Sequence, residues 1–327
     1  MADGEDKDGT LERATTGEAT APGGRTRDEA RHVPGDTEAA TPDAYSGDVD
    51  RAGDLLWGGR GVAAARCVLF DFDGPVCRLF PEGRSMPVAE RLRAHLAQLG
   101  LGGLLSAEER ADKDPHVVLR AVHRAGRERD LGDLVGTLEH MVTEGEVRAA
   151  GEAWPTADAD GLIRRLHEGG AALAVVTNNS ARAADRYLRE HAHRGRSLRD
   201  FFTAVHGRGP DPDLMKPHPD VLTRALTGLG LPPDSAVMIG DTPTDAEAAR
   251  AAGVRFIGYG RDEAKRARLR RAGAGVVIGS YAPLLHTAET AGVCGRRHAQ
   301  GEPHDGPGDG APRCRCGARS PVRSLHE

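Results

Sequence analysis

The stretch Val68–Cys77, VLFDFDGPVC, decides the fold that the sequence predicts. Three apolar residues typical of a buried strand lead into two carboxylates, Asp71 and Asp73, before Gly74 and Pro75 break the strand. Residues two apart on a strand point to the same side, so both carboxylates are expected at one side of the strand exit. They could share a metal ion or divide into a nucleophile and a general acid/base, or they could form only a polar turn.

Composition limits the classes of protein to which this chain of 327 residues can belong. The formal net charge is -5 at pH 7, so no overall basic field attracts nucleic acid. No apolar run approaches the roughly 20 residues of a membrane span, and the acidic N-terminus lacks the apolar core of a secretory signal. We therefore expect a cytoplasmic protein that binds neither nucleic acid nor membranes.

Both ends of the chain are rich in Gly, Pro and charged residues, without sustained apolar periodicity. Such segments bury too little apolar surface to offset their ordering entropy. Residues 1–62 are therefore predicted to be a disordered acidic arm and residues 292–327 a disordered tail. In the arm, the cluster Leu55–Trp57 could pack on the domain edge or serve as a short binding motif.

The tail also contains cysteines and histidines that could bind zinc. These residues are Cys294, His298, His304, Cys314 and Cys316. Their spacing matches no common zinc motif, so a disordered tail without a metal is the favoured interpretation.

From residue 155 to residue 291, short apolar strands alternate with helices. The predicted strands are 172–176, 202–206, 235–239, 254–259 and 275–278, and the predicted helices are 157–168, 181–191, 217–229, 245–252 and 263–272. Such alternation predicts parallel βαβ units. With a first strand at 66–72, it predicts an α/β fold, a Rossmann-like doubly wound parallel sheet built from residues 63–80 and 155–291.

Residues 81–154, between the two core segments, have a different pattern. Val88, Leu92, Leu96 and Leu99 recur at spacings of three and four, which places them on one helical face. Two further segments, starting near residues 114 and 131, repeat this pattern without a strand signal between them. We therefore predict a small α-helical module inserted after the first strand.

Polar side chains follow the predicted strands at the edge where open parallel sheets bind ligands. They are Asp71 and Asp73 after the first strand, Thr177 and Asn178 after the second, Lys216 after the third, and Asp241 and Asp245 after the fourth. Clustered carboxylates need a cation, and hard oxygen ligands favour Mg²⁺. A hydroxyl, an ammonium and free backbone N–H groups can hold a phosphoryl group. Each residue alone could be a helix cap or a solvated surface group.

Rare residue types add weight to this set. The chain has only four lysines and two asparagines, and Lys216 and Asn178 belong to the set.

Taken in order, DFDG, VVTNN, MKPHP and IGDTPTD resemble the four motifs of haloacid dehalogenase-superfamily phosphatases, most of all the phosphoglycolate phosphatase-like group. The resemblance covers residues 66–285 and implies Mg²⁺ as cofactor and a cap formed by residues 81–154. It implies a nucleophile, Asp71, and an acid/base, Asp73. It implies phosphoryl contacts from Thr177, Asn178 and Lys216, and metal binding by Asp71, the Asp73 carbonyl, Asp241 and, in support, Asp245.

The first motif departs from the usual family pattern at Pro75, where Thr or Val is common. Proline has no N–H and fixes φ, so we expect the hydrogen bonding of this turn to change. Cys77 and Arg78 also differ, which bears on substrate choice. The residues available to meet an anionic substrate, although most could be solvated helix faces, are Arg78, Arg84, Arg91, His116, Arg120 and Arg124.

The resemblance implies Mg²⁺-dependent hydrolysis of a small-molecule phosphomonoester through an aspartyl-phosphate on Asp71. Two alternatives stay open. A phosphomutase of the same fold, similar to β-phosphoglucomutase, would pass the phosphoryl group to a sugar. A non-catalytic binding or regulatory protein would instead recruit partners through its disordered arms. The sequence does not indicate an oligomeric state.

Overall fold

The computed structural model describes residues 46–81 and 85–286. These residues form a fold around a six-stranded parallel β-sheet. The strands of this part of the chain are β1 (Cys67–Phe70), β2 (Cys77–Arg78), β3 (Trp154–Pro155), β4 (Ala172–Val176), β5 (Ala192–His193), β6 (Arg196–Ser197), β7 (Ala204–His206), β8 (Ala236–Gly240), β9 (Arg255–Tyr259) and β10 (Val277–Ile278). The sheet has the order β10–β9–β8–β1–β4–β7, and every pairing in it is parallel. The predicted α/β fold is confirmed.

Helices cover both faces of the sheet and form the inserted module. Within the described residues they are α1 (Ser46–Trp57), α2 (Met86–Gln98), α3 (Ala107–Ala111), α4 (Pro115–Gly126), α5 (Leu134–Ala150), α6 (Ala159–Glu168), α7 (Ala181–Glu190), α8 (Asp220–Leu229), α9 (Pro243–Ala252) and α10 (Glu263–Arg271). The predicted core elements occur with shifted ends. For example, the strand predicted from residue 202 begins at Ala204, because a 3₁₀ turn with buried Phe201 precedes it. The β5–β6 hairpin was not predicted.

Successive residues of each central strand feed two apolar cores, one on each face of the sheet. Val68 and Phe70 of β1 point into the core that α1, α6 and α7 cover. Cys67 and Leu69 point into the core that α8 and α9 cover. Because both faces are buried, the central strands are apolar throughout and do not alternate with polar residues.

Helix α1 corrects the predicted arm of residues 1–62. Ala52 and Leu56 lie one turn apart and are 0% and 2% exposed in the core beside α6 and α7. Asp48 forms an ion pair with Arg270 of α10. The prediction of disorder is therefore wrong for residues 46–57, and Leu55–Trp57 packs on the domain. Residues 1–45 lie outside the described part of the chain.

Helices α2 to α5, which we call the helical module, pack around an apolar core of their own. Leu92 and Leu96 of α2 meet Val118 of α4 and Leu138 of α5, and Met215 from the loop before α8 joins them. The predicted helical pattern is correct here. The sequence did not indicate that β2 and β3 pair antiparallel, so that the segments entering and leaving the module run side by side.

Some expectations concern residues that the structure does not describe. The tail 292–327, with the candidate zinc ligands Cys294, His298, His304, Cys314 and Cys316, lies outside the described residues, as does Arg84. Among the described helices, none is long and apolar enough to cross a membrane.

The packing of α1 predicts a stability effect. Replacing Leu56 by alanine should lower the free energy of unfolding by about 2–5 kcal/mol, because it leaves a cavity in the core. Urea unfolding of the full chain measures the change. Leu99→Ala is the matched control, since Leu99 is 51% exposed and should change stability little. Equal stabilities of the two variants would show that α1 does not pack on the core.

Candidate active site

The order of the strands reverses between β1 and β8. The chain passes from β1 to β4 and β7 on one side, then returns to β8 on the other side of β1. Crevices at such reversals, beyond the carboxyl ends of the strands, are the usual ligand sites of open α/β sheets. Asp71 follows β1 directly and Asp241 follows β8 directly. The fold therefore brings the predicted carboxylates to the expected edge.

The turn after β1 uses its backbone N–H groups within itself. Gly74 N donates to Cys77 O at 2.6 Å, and the N atoms of Val76 and Cys77 donate to Phe72 O at 3.2 and 3.1 Å. These bonds need no N–H at position 75. Pro75 therefore fits the turn, although proline is unusual at this position of the motif.

The carbonyl groups of the same turn accept hydrogen bonds from two distant side chains. Thr156 Oγ1 donates to Gly74 O at 2.6 Å, and the buried Tyr281 hydroxyl donates to Pro75 O at 3.1 Å. Gly74 has a φ of 124°, and a Cβ there would lie 2.3 Å from Asp241 Cγ. The turn thus requires glycine at this position, where its backbone passes directly beside Asp241.

Lys216 connects the ends of β1 and β4 with α9 through one buried ammonium. Its Nζ lies 2.7 Å from Asp71 Oδ1 and 2.6 Å from Asp245 Oδ1, and it donates to Val176 O at 3.1 Å. Burial opposes the charged form, but the two carboxylates outweigh it and raise the pKa of Lys216 above its usual value. For Asp71, burial and the neighbouring carboxylates raise the pKa to about 7, with Lys216 opposing the rise.

Asn178 holds the backbone of Lys216. Its Oδ1 accepts from Lys216 N at 2.7 Å and its Nδ2 donates to Lys216 O at 3.1 Å. Arg120, from α4 of the helical module, also donates to Lys216 O at 3.1 Å. The Asn178 side chain therefore positions Lys216, and its contact with a phosphate stays a prediction.

Thr177 follows β4 and is 1% exposed. Its Oγ1 donates to Asn179 Oδ1 and accepts from Asn179 N, both at 3.1 Å. The hydroxyl thus lies in a loop, residues Thr177–Ser180, that internal hydrogen bonds keep in place at the start of α7.

The carboxylates form a cluster suited to a hard cation. Oxygen atoms of Asp71, Asp241 and Asp245 lie within 4.8 Å of one another. Burial raises the pKa of Asp241 to about 6. Its Oδ1 is buried and accepts no hydrogen bond from the described residues, while the other oxygen pairs with Lys265 of α10. An unpartnered buried carboxylate oxygen among further carboxylates fits a divalent cation with oxygen ligands.

Asp245 and Asp73 are each held by backbone donors. Asp245 Oδ2 accepts from Asp241 N at 3.1 Å and Thr242 N at 3.0 Å, which fixes the loop between β8 and α9. Asp73 Oδ1 accepts from Leu79 N at 2.8 Å. Burial nevertheless raises the pKa of Asp73 to about 6, so it can hold a proton near neutral pH.

Behind the Thr177–Ser180 loop lies a buried ionic cluster that was not predicted. Its centre is Glu146 of α5, which is 0% exposed and contacts the side chains of Arg208, His116 and Asn179. Burial opposes ionisation, but these partners lower the pKa of Glu146 to about 2. Asp114 and Glu146 raise the pKa of His116 to about 9, against the effect of burial. His116 is thus already paired with carboxylates.

The other cationic candidates of the module differ in their surroundings. Arg120 bonds Lys216 O as described, and Arg124 pairs with Glu109 at 2.7 Å. Arg91 is exposed.

Some site residues carried a usable signal in the sequence and others did not. Lys265 and Asn179 belong to the two rare residue types noted above, and that rarity could have identified them. Glu146 and Arg208 carried no signal, because a charged residue on a helix or in a loop normally indicates a solvated surface.

Known proteins resemble this chain over the same region. A family model described as haloacid dehalogenase-like hydrolase matches residues 65–253. A putative pyrophosphatase PpaX of Caldanaerobacter subterraneus is 36% identical over 100 residues, 31% of this chain and 43% of that protein. A phosphoglycolate phosphatase of Neisseria meningitidis is 27% identical over 219 residues, 60% of this chain and 81% of that protein.

One solved structure illustrates the structural neighbours. CbbY from Rhodobacter sphaeroides, crystallised in complex with phosphate, has 24% identity and a TM-score of 0.46. The match covers 67% of this chain and 95% of that one.

The buried ionic cluster predicts a pH dependence of stability. Because its pKa is raised, His116 contributes to the stability of the fold. The contribution is complete at pH values below the ordinary histidine pKa of 6.5 and is lost as the pH rises through about 9. The lowered pKa of Glu146 stabilises the fold above its ordinary value of 4.5, and this is lost as the pH falls towards about 2. The two contributions are both complete between pH 4.5 and pH 6.5.

Urea unfolding of the wild type and of His116→Gln tests this dependence. The wild type should be more stable than the variant at pH 6, and the difference should shrink at pH 9.5, where the wild-type histidine is largely neutral. A difference that is the same at both pH values would contradict the raised pKa of His116.

Proposed function

Because this chain belongs to the haloacid dehalogenase-like hydrolase family, we propose that it is a Mg²⁺-dependent phosphatase of small-molecule phosphomonoesters. The observation that carries the proposal is the position of the Lys216 ammonium, 2.7 Å from Asp71 at the point where the strand order reverses. A nucleophilic carboxylate and a fixed cation side by side suit phosphoryl transfer, which needs charge compensation more than covalent chemistry. The phosphoglycolate phosphatase among the relatives supports this choice.

Asp71 attacks phosphorus and becomes an aspartyl-phosphate, which water then hydrolyses. Lys216 holds Oδ1 of Asp71, which fixes the orientation of the carboxylate. The same ammonium offsets negative charge on the phosphoryl oxygens, and Asn178 N, which donates to no acceptor among the described residues, donates to them. The Thr177 hydroxyl joins it by turning its proton from Asn179 Oδ1 to the phosphoryl group.

Asp73 is the general acid and then the general base. Its raised pKa of about 6 leaves a fraction of the carboxyl group protonated near neutral pH, ready for the leaving oxygen. Once deprotonated, it accepts a proton from the water that attacks the intermediate. Its hydrogen bond from Leu79 N keeps one oxygen in place, so the other carries the proton.

Mg²⁺ would be held by the side chains of Asp71 and Asp241 and the carbonyl of Asp73, with Asp245 in support. When bound, the cation supplies positive charge that reduces the repulsion between the nucleophile and the phosphoryl group. The buried, unpartnered Asp241 Oδ1 and the close glycine backbone at Gly74 support this assignment.

We assign residues 81–154, which include the helical module, as the cap over this site. The segment that enters the module, β2, follows the turn after β1. The segment that leaves it, β3, pairs with β2 at Cys77 and Pro155. We therefore expect the substrate, a small phosphate ester, to bind between the carboxyl ends of the strands and the module.

The decisive test is release of inorganic phosphate from a broad panel of phosphate esters with Mg²⁺. Asp71→Asn should reduce turnover by about 10³-fold or more, because the amide cannot form the acyl phosphate. Asp234→Asn makes the same change at an exposed site and should keep the wild-type rate. Near-normal turnover by Asp71→Asn would show that Asp71 is not the nucleophile.

The products distinguish the alternative enzyme. Free phosphate identifies a phosphatase, whereas an isomerised phosphosugar without phosphate release identifies a phosphomutase. Absence of hydrolysis across the whole panel would favour a binding protein.

Lys265 provides a second test of the metal site. Its ammonium pairs with Asp241 and competes with a cation for that carboxylate, so Lys265→Met should bind Mg²⁺ several-fold more tightly. The rise in Tm with increasing Mg²⁺ measures this affinity without any assay of activity. Lys113→Met, at an exposed lysine, is the control. Equal Mg²⁺ affinities of the two variants would argue against Asp241 as a ligand.

A further inference from the structure

The Glu146 carboxylate lies at the contact between the helical module and the core, with no exposure to solvent. It accepts hydrogen bonds from four donors on three other segments of the chain. They are Asn179 Nδ2 at 2.9 Å, Ser180 N at 2.9 Å, Arg208 Nη1 at 2.6 Å and His116 Nε2 at 3.1 Å. A buried carboxylate is tolerated only with such partners, so this arrangement strongly constrains the groups around it.

Two of the four donors belong to the loop Thr177–Ser180. Because a carboxylate can only accept, Glu146 turns the NH₂ group of Asn179 towards itself and the Oδ1 of Asn179 towards Thr177. That oxygen then accepts from the Thr177 hydroxyl at 3.1 Å. Ser180, the second donor, caps α7 with its side chain. One carboxylate thus holds the Asn179 side chain and the Ser180 backbone, and with them the position of Thr177 Oγ1, which accepts from Asn179 N.

The charges around Glu146 come from both sides of the contact. Arg208 belongs to the core, and its backbone N donates to Asn179 O at 3.1 Å. Its side chain, 1% exposed, also reaches Glu139 and Thr143 of α5 at 3.0 and 2.7 Å. His116 of α4 faces Asp114 as well as Glu146. Within the described residues, Glu146 is therefore held from the module and from the core at once.

We propose that Glu146 is a positioning residue through which the helical module sets the geometry of the phosphate-binding loop Thr177–Ser180. The proposal rests on the proposed phosphatase function, in which Thr177 Oγ1 and Asn178 N contact the phosphoryl group. When the module is seated on the core, Glu146 orders the loop, and the phosphate site is complete. When the module moves away, the loop loses its acceptor and binds phosphate less well.

Glu146→Gln and Glu139→Gln form a matched pair of variants. Both remove one negative charge from the same network on the same helix. Only Glu146 contacts the Thr177–Ser180 loop, whereas Glu139 contacts Arg208 and Thr143. A structural role in holding the module would change the stability of both variants. A positioning role would change phosphate binding in Glu146→Gln alone.

The measurements are the affinity for inorganic phosphate with Mg²⁺ by calorimetry, and kcat and KM on the best substrate of the panel. All are made well below the Tm of each variant. Glu146→Gln should weaken phosphate binding and lower kcat/KM by about tenfold to a hundredfold, because a small displacement of the loop misplaces its donors. Glu139→Gln should stay close to the wild type in both.

Two outcomes overturn the inference. If the wild type releases phosphate and Glu146→Gln matches Glu139→Gln in phosphate affinity and kcat/KM, Glu146 is only a structural residue. If the wild type neither binds nor releases phosphate, the proposed function fails and this inference fails with it.

A second variant is used if Glu146→Gln does not fold. Glu146→Asp keeps the negative charge beside Arg208 and His116 but, being one methylene shorter, draws the carboxylate away from the Thr177–Ser180 loop. It should weaken phosphate binding to a similar extent, and an unchanged phosphate affinity would overturn the inference.

Discussion

Repulsion among buried carboxylates is the constraint on which the arrangement of this molecule depends. Asp71, Asp241 and Asp245 bring oxygen atoms within 4.8 Å of one another in a poorly solvated crevice, where like charges interact strongly. The fold compensates with buried cations, since Lys216 bridges two of these residues and Lys265 pairs with the third. Each cation comes from a different part of the chain, so the sheet edge is stable only when these segments are assembled together.

Close approach of the backbone makes this density of charge possible. A Cβ on Gly240 would lie 2.5 Å from Asp245 Cβ, as one on Gly74 would from the carboxylate of Asp241 at 2.3 Å. Gly74 therefore lets the loop after β1 lie against Asp241, and Gly240 lets Asp245 of α9 lie against the end of β8. Each of the two acidic segments therefore contains a glycine beside its carboxylates.

Most of the core and the members of the strand-end set were predictable, because both follow from local pattern. The apolar runs mark the strands, and parallel topology places their ends together, which is how Asp71, Thr177 and Lys216 were found. Residues whose role depends on a distant partner were not predictable. Glu146 is buried by a loop more than 30 positions away, and α1 is recognisable only through the core that covers Leu56. Local periodicity contains no information about either contact.

The pairing of β2 with β3 also affects how this chain can tolerate change. Because Cys77 and Arg78 lie directly opposite Pro155 and Trp154, the two ends of the insertion are neighbours in one short antiparallel pairing. A peptide of almost any length can bridge two adjacent points, since the entropy of closing a loop rises only slowly with its length. The segment between these two points can therefore change in length without a change in the register of the sheet.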